Sequence, residues 1–183
     1  LEWLWRLILE PRRIVRILRA VIVFPSLVIF RYFVPRLRPN VVMCVVDRKN
    51  TILLAMRLHD PGHWQFPQGG IEPGHSVDET IYKELAEEVG ITKDMVTKYE
   101  IVPRSHSYTW SESYMKQHYR SVYQGQKQTV VIVHFAGTHD DVVVDKKEFS
   151  QSKWVPQDKL LETIHPVRQT VAQIALQYLD TKR

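Results

Sequence analysis

The chain has a single cysteine, Cys44, among its 183 residues. One cysteine cannot form an intramolecular disulfide, so a reducing compartment is allowed. No cluster of cysteine and histidine residues has the spacing of a zinc site. Cys44 lies in the apolar run VVMCVV, which predicts a small buried side chain rather than a nucleophile.

The N-terminal region lacks an apolar run long enough to cross a membrane. Its longest uncharged stretch, Ala20 to Phe30, has 11 residues, whereas a spanning helix needs about 20. Residues 1–38 carry eight Arg, no Lys and two Glu, a net charge of +6, and the remainder has 17 basic and 18 acidic residues, a net charge of −1. The excess of positive charge therefore lies in the N-terminal arm. The basic isoelectric point of the whole chain is weak evidence that the remaining residues bind nucleic acid.

Residues 1–37 form an Arg-rich, hydrophobic extension for which three interpretations stay open. An amphipathic segment of this kind can lie on an acidic membrane surface, with Trp3 and Trp5 at the interface. An Arg-rich, acid-poor stretch also fits an organellar transit sequence. The third interpretation is a helical extension packed on the domain or on another subunit. We predict a cytoplasmic protein, with peripheral membrane contact or organellar targeting as alternatives, and no segment indicates an obligate protein partner.

Beyond the extension, residues 38–183 have the pattern of a single α/β domain. Two β-rich runs, 41–46 and 51–57, are joined by the polar turn DRKN and predict a hairpin. Residues 96–103 and 129–136 predict further strands. The polar, aromatic stretch between them predicts a long functional loop, in which Tyr108, Trp110, Tyr114 and Tyr119 either hold a base or pack on the protein.

Capping residues and apolar periodicity predict two helices. Ser76 and Glu79 have the spacing of a capping box, so the sequence predicts a helix from about Val77 to Val89 that ends at Gly90. Residues 165–180 have the apolar spacing of a C-terminal amphipathic helix.

The first of these helices carries three carboxylates on one face. Glu84, Glu87 and Glu88 stand at positions i, i+3 and i+4. Gly69 and Gly70, just upstream, allow the backbone to turn tightly and to approach a ligand closely. A glycine loop that leads into a carboxylate-bearing helix can form an oxygen-lined cation site, of the kind that Mg²⁺ shares with substrate phosphates.

Residues 69–91 resemble the Nudix box, G-x5-E-x7-R-E-U-x-E-E-x-G-U, where U is an aliphatic residue. Seven of the nine defined positions agree at the correct spacing. The two departures are His75, where the family has Glu, and Lys83, where it has Arg. Those two family residues form an ion pair that braces the loop against the helix. We therefore expect an active enzyme with a looser loop, which a His75→Glu change should stabilise.

The resemblance implies a Nudix fold, a mixed β-sheet sandwiched between helices, and hydrolysis of a phosphoanhydride bond. It implies Mg²⁺, with Mn²⁺ as a substitute, on Glu84, Glu87 and Glu88. The motifs RPNV (38–41), WQFPQGG, GQKQ and PVRQ also resemble the bacterial subgroup of RNA 5′-pyrophosphohydrolases and dinucleoside-polyphosphate hydrolases. In that alignment Glu148 matches a distant metal-binding or catalytic carboxylate, so Glu87 and Glu148 are the candidates for the general base.

Basic residues are expected to meet the substrate phosphates. Arg38 resembles a phosphate-contacting Arg of the subgroup, and Arg57 and Lys127 are further candidates. Trp64 and Phe66 are expected to brace the glycine loop from the core.

Three functional hypotheses follow. The first is an RNA 5′-pyrophosphohydrolase acting on 5′-triphosphate ends, favoured by the subgroup motifs. The second is a dinucleoside-polyphosphate hydrolase, such as one for diadenosine tetraphosphate, favoured by the near-neutral domain. The third is a non-catalytic, nucleotide-sensing Nudix domain at a membrane, suggested by His75, Lys83 and the N-terminal extension.

Overall fold

Seven strands form one mixed sheet in the computed structural model, which describes residues 17, 19–23, 34–117 and 122–182. The strands are β1 (Leu37–Val46), β2 (Thr51–Arg57), β3 (Trp64–Gln65), β4 (Gln68–Gly70), β5 (Val96–Thr109), β6 (Gly125–Phe135) and β7 (Phe149–Pro156). The order is β3-β2-β1-β6-β5, with β4 paired to β1 and β7 paired to β2. Only the β1–β6 pair among these strands is parallel.

Strand β1 is the central strand of the sheet and is covered on both faces. Its second half, 41–46, is almost fully buried, which explains why that run is continuously apolar rather than alternating. Cys44 is fully buried there, as the sequence predicted. The predicted hairpin to β2 is confirmed by the antiparallel pair Val46 and Ile52, although most of β2 pairs with β7 instead.

Helices cover the two faces of the sheet, which confirms the predicted α/β sandwich. The longer helices of the described domain are α1 (Val77–Val89), α2 (Glu112–Gln117), α3 (Leu160–Thr163) and α4 (Gln169–Thr181), of which α2 buries no residue. Helix α1 buries Ile81, Leu85 and Val89 against one face. Helices α3 and α4 pack on the other face, where Phe66 is also buried and Trp64 packs against the cluster, in agreement with their expected core role.

Helix α1 begins and ends where its capping residues predict. Ser76 accepts a hydrogen bond from the backbone N–H of Glu79, and the Glu79 carboxylate accepts one from the backbone N–H of Ser76. Gly90 ends the helix in the left-handed conformation, at φ 72°. The predicted C-terminal helix is also confirmed, but α4 starts at Gln169 because a short 3₁₀ turn, Pro166–Arg168, precedes it.

The predicted long loop between β5 and β6 is shorter than the sequence suggested. Strand β5 extends to Thr109 and β6 begins at Gly125, and these polar ends pair with each other in register. Their side chains are mostly exposed, so no apolar alternation marks them as strands. Helix α2 occupies part of the remaining connection, and Tyr119 lies outside the described residues.

The N-terminal extension lies largely outside the described residues, so the predicted membrane, transit and packing roles of residues 1–37 stay predictions. Its described part includes one π-helical turn, Arg19–Val23. Strand β1 begins at Leu37, one residue before the domain start placed at Arg38. Within the described residues, no helix combines the length and the apolar character that crossing a bilayer requires.

Glu100 on β5 connects the sheet to helix α4. Its carboxylate accepts a hydrogen bond from the Tyr178 hydroxyl at 3.1 Å and lies 3.0 Å from Lys98 Nζ and 3.1 Å from His134 Nε2. The Lys98 ammonium and the other donors outweigh the cost of burial and lower the pKa of Glu100 to about 2. The carboxylate is therefore charged in the folded protein over most of the acid range.

We expect Glu100→Gln to lower the melting temperature at neutral pH but not at strongly acidic pH. The folded pKa lies below the ordinary value of 4.5, so the stabilisation is complete above pH 4.5 and is lost as the pH falls toward 2. Thermal unfolding followed by circular dichroism between pH 2 and pH 7 measures this, with Glu162→Gln, an exposed carboxylate, as the control. A melting-temperature difference that does not shrink with falling pH would contradict the assignment.

Candidate active site

Gly69 and Gly70, predicted from the sequence to form a glycine loop, form the end of strand β4 and bring its backbone against two charged side chains. Strand β4 pairs with β1, with Gly69 opposite Val41. A Cβ on Gly69 would overlap the Glu84 carboxyl group, and a Cβ on Gly70 would overlap the Arg38 guanidinium. Any larger residue at either position would push the end of a flexible charged side chain away from this backbone, so glycine allows both charged groups to lie against it.

The three glutamates of α1 differ in burial. Glu87 is exposed, Glu84 is half-buried, and Glu88 is 6% exposed. Glu88 Oε2 accepts a hydrogen bond from the backbone N–H of Gln68 at 2.8 Å. This contact fastens the C-terminal half of α1 to the start of β4, so helix and loop form one unit.

Glu148 reaches the same region from a distant part of the chain. The segment before it is bound to the end of α1, because the backbone N–H groups of Val143 and Asp145 donate to the carbonyls of Val89 and Glu88. The Glu148 carbonyl accepts from the N–H of Leu58, just after β2. Glu148 and Glu88 line one cleft of about 650 Å³. The long-range association predicted for Glu148 is therefore present in the structure.

The carboxylates are close enough to affect one another. Burial, followed by the charges of Glu84 and Glu148, raises the pKa of Glu88 to about 9, although the Gln68 N–H opposes the shift. Burial and the charge of Glu87 also raise the pKa of Glu84. Within the parts of the chain that the structure describes, no three His, Cys, Asp or Glu side chains converge as closely as a bound metal ion would require.

One of the three predicted basic residues lies at the cleft, and a second lies at an adjoining cavity. Arg57 lines it and its charge opposes the raised pKa of Glu88. Arg38 lies over Gly70 and lines an adjoining cavity of about 540 Å³. Lys127 is not brought to either cavity, because strand alternation places its side chain on the face of the sheet opposite to those of Gln126 and Gln128.

Gln126 faces the cleft instead, Gln128 is buried on the same side of the strand, and neither was predicted from the sequence. Gln126 lines both cavities, and Gln128 is buried and donates to Gln68 Oε1 at 3.3 Å. The period-two alternation of GQKQ within a strand would have indicated that the glutamines share one face and that Lys127 lies on the other.

The prediction of a looser loop, without a brace to the helix, is wrong. Lys83 Nζ lies 3.1 Å from Glu72 Oε1, and His75 Nδ1 lies 3.8 Å from Glu72 Oε2. The hydrogen bond to Glu72 raises the pKa of Lys83. Glu72, a residue of the box's first spacer, thus supplies the carboxylate that position 75 lacks, and the helix remains tied to the loop.

The model of the NUDIX domain family matches residues 36–174, which is most of the chain. The chain belongs to the Nudix family. It is therefore a Nudix hydrolase, an enzyme that cleaves phosphoanhydride bonds in a family that uses divalent cations. The three helix carboxylates of the box, Glu84, Glu87 and Glu88, are all present, which agrees with an enzyme rather than with the non-catalytic sensor of the third hypothesis.

Curated relatives are similar over most of their length. The RNA pyrophosphohydrolase of Erythrobacter litoralis is 32% identical over 132 residues, covering 69% of this chain and 80% of the relative. The RNA pyrophosphohydrolase of Novosphingobium aromaticivorans is 30% identical over 139 residues, covering 73% of this chain and 86% of the relative.

Solved structures share the fold at lower identity. The E. coli dihydroneopterin triphosphate pyrophosphohydrolase is 16% identical with a TM-score of 0.62, covering 75% of this chain and 96% of that one. A C. elegans Ap4A hydrolase in a binary complex is also 16% identical, with a TM-score of 0.60, covering 79% and 99%. These likenesses establish the Nudix fold that the resemblance implied.

We expect His75→Glu alone to leave the melting temperature unchanged or slightly lower. A second carboxylate at position 75 would stand beside Glu72, which already pairs with Lys83. In a Glu72→Gln background the same change should raise the melting temperature, because Lys83 then lacks its carboxylate. A thermal double-mutant cycle measures this, and an equal gain in both backgrounds would show that Glu72 is not the brace.

We expect Glu88→Gln to stabilise the metal-free protein increasingly as the pH rises. The folded pKa of about 9 exceeds the ordinary 4.5, so wild-type stability falls as the pH rises through that window, whereas glutamine does not ionise. Metal-free melting temperatures at pH 5, 7 and 9, measured with a chelator present, test the expectation. A gap that stays constant, or a variant that is less stable at pH 9, would rule out a costly buried carboxylate.

Proposed function

We propose that the chain is a magnesium-dependent RNA 5′-pyrophosphohydrolase that acts on 5′-triphosphate ends. The observation that carries this proposal is the meeting of acidic residues from two distant segments, α1 and Glu148, beside the Gly69–Gly70 loop. Arg38 and Arg57 adjoin the same region, so positive groups stand where substrate phosphates would enter. The two curated relatives, both named RNA pyrophosphohydrolases, support the choice of substrate.

The chemistry of the donor set suits Mg²⁺, although a bound ion would have to draw the carboxylates closer together than they lie among the described residues. Glu84, Glu88 and Glu148, with Glu87 at the exposed edge, offer only carboxylate oxygens, the ligands that this hard cation prefers. The buried Glu88 gains from a nearby cation, because its charge is otherwise costly to hold away from water. Mn²⁺ has the same ligand preference and is expected to substitute. When bound, such ions neutralise phosphate charge and lower the pKa of water.

The other steps of the reaction, proton transfer and phosphate binding, are assigned to residues around the cleft. Glu148 and Glu87, the two exposed carboxylates, are the candidates to accept the proton of the attacking water. Arg57 and Arg38 would hold the phosphates and stabilise the charge that develops on the leaving group. Gly69 and Gly70 keep the backbone clear of Glu84 and Arg38, so that both charged groups remain beside the loop.

A dinucleoside-polyphosphate hydrolase is the second candidate. It is favoured by the charge distribution, because the chain beyond residue 38 has a net charge of −1 and so lacks the excess of positive charge typical of nucleic-acid binding surfaces. The same acidic cluster would serve both substrates, and only a direct comparison separates them.

We expect the wild-type protein with Mg²⁺ to release pyrophosphate or phosphate from 5′-triphosphorylated RNA faster than it cleaves diadenosine tetraphosphate or ADP-ribose. Chromatography of the products under matched conditions measures this ranking. Faster cleavage of diadenosine tetraphosphate would favour the second candidate, and no turnover of any substrate would contradict the proposed function.

We expect Glu88→Gln to reduce kcat by at least about 100-fold. Replacing a residue that only supports a metal ligand already lowers metal affinity or activity by up to about 100-fold, and Glu88 is proposed as a ligand itself. Circular dichroism should show a folded protein, so that the loss is catalytic. Glu162→Gln, which removes an exposed carboxylate on α3, is the matched control and should retain wild-type kcat. Near wild-type turnover by Glu88→Gln would overturn the metal assignment.

A further inference from the structure

Most of the N-terminal extension, residues 1–37, precedes the part of the chain that matches the Nudix family, which begins at residue 36. The extension contains seven Arg, no Lys and two Glu, a net charge of +5. The reaction assigned to the cleft uses none of these seven arginines. A concentration of one positively charged residue type outside the catalytic machinery calls for another explanation.

Residues 12–23 combine this charge with apolar side chains. They contain four Arg, eight aliphatic residues and no acidic residue. At helical spacing, three of the arginines share one face: Arg12, Arg16 and Arg19. Three of the aliphatic residues share the opposite face: Ile14, Ile17 and Leu18. A basic face opposite an aliphatic face is typical of helices that lie in the plane of a membrane surface.

The described residues of this stretch are helical and expose their apolar side chains. Ile17 is α-helical, and Arg19–Val23 form a π-helical turn. Val21 is 66% exposed and Ile22 is 58% exposed. Neighbouring aliphatic side chains with this degree of exposure are typical of a surface that contacts another apolar phase.

The extension joins the domain beside further apolar side chains. The Arg36 carbonyl accepts a hydrogen bond from the Gln124 N–H at 2.7 Å, and the Arg36 N–H donates to Gln124 Oε1 at 3.2 Å. These bonds fix the point at which the chain enters the sheet. The preceding residue, Pro35, lines a cavity of about 570 Å³ together with Trp110 and Met115. Apolar surface is therefore present where the extension meets the domain.

We propose that residues 12–23 lie flat on a membrane surface that contains acidic lipids. The arginines contact the phosphates of the lipid headgroups, and the aliphatic side chains enter the boundary between headgroups and hydrocarbon. This interaction goes beyond the proposed function and does not depend on it.

The aliphatic side chains favour a membrane over RNA as the acidic partner. RNA phosphates would pair with the arginines but would leave the exposed aliphatic side chains in water. A bilayer offers phosphates to the arginines and hydrocarbon to the aliphatic side chains. The longest uncharged run, Ala20 to Phe30, has 11 residues, whereas a spanning helix needs about 20. The segment therefore suits the plane of the membrane rather than a path across it.

The test is flotation of the full chain with vesicles of phosphatidylcholine alone or of phosphatidylcholine mixed with phosphatidylglycerol. We expect the chain to partition onto the mixed vesicles far more than onto the neutral ones. Each arginine near an acidic surface contributes roughly 5-fold, so Arg16→Gln with Arg19→Gln should lower the partition coefficient roughly 25-fold. Arg48→Gln with Lys49→Gln removes the same charge from the exposed turn after β1 and should leave partitioning unchanged.

A second pair of variants tests the apolar contact. Ile22→Ser should lower partitioning by at least about 4-fold, the contribution of one buried methylene group. Ile101→Ser alters an aliphatic side chain that is 48% exposed on β5, and this control should bind like the wild type. Melting temperatures verify that each variant is folded.

A wild-type chain that does not float with the mixed vesicles would overturn the proposal. Equal partitioning onto neutral and mixed vesicles would also overturn it, as would an equal loss in the Arg48 and Lys49 control, because overall charge would then explain binding. If the wild type does not float but the Arg16 and Arg19 changes weaken binding to unstructured RNA, the extension is an RNA-binding segment and the proposal is wrong.

Turnover of triphosphorylated RNA without vesicles separates this proposal from the proposed function. The Arg16, Arg19 and Ile22 variants should retain wild-type kcat, because these residues are not part of the active site. Flotation without turnover would support the membrane contact and contradict the proposed function. Turnover without flotation would do the reverse.

Discussion

The hydrogen bond from the Gln68 backbone to the buried Glu88 carboxylate connects helix, loop and sheet at the cleft. Burial of a carboxylate away from water is costly, and here it raises the pKa of Glu88 to about 9. An amide or an apolar side chain at this position would fold at lower cost. A carboxylate at this cost is typical of a functional site, where residues depart from what stability alone would choose.

Several other features of the site depend on this contact. Because α1 is fastened to β4 through Glu88, the Glu84 carboxyl group lies against Gly69, where a Cβ would displace it. The same helix end binds the segment that carries Glu148, through the carbonyls of Val89 and Glu88. Charges that repel one another are thereby held together by backbone hydrogen bonds rather than by their own interactions.

Short sequence patterns predicted those features that are determined by residues close together in the chain. The capping box at Ser76 and Glu79 and the glycine at position 90 give both ends of α1, because caps satisfy backbone groups within a few residues. The polar ends of β5 and β6 were missed, since ladder hydrogen bonds between exposed residues leave no apolar periodicity. Glu72 as a brace was missed as well, because it lies in a spacer where the family's pattern specifies no residue. Glu148 was found only through a resemblance, since nothing in its own neighbourhood of the chain distinguishes it.

The proposed function requires that Glu84, Glu88 and Glu148 hold divalent cations beside the glycine loop. Anomalous diffraction from crystals soaked in Mn²⁺ tests it most directly, because the ion's position is then located independently of any activity. We expect an anomalous peak within ligand distance of these carboxylates, about 2.0–2.6 Å as for other oxygen-bound divalent cations. A peak elsewhere on the protein, with none beside Gly69, would contradict it.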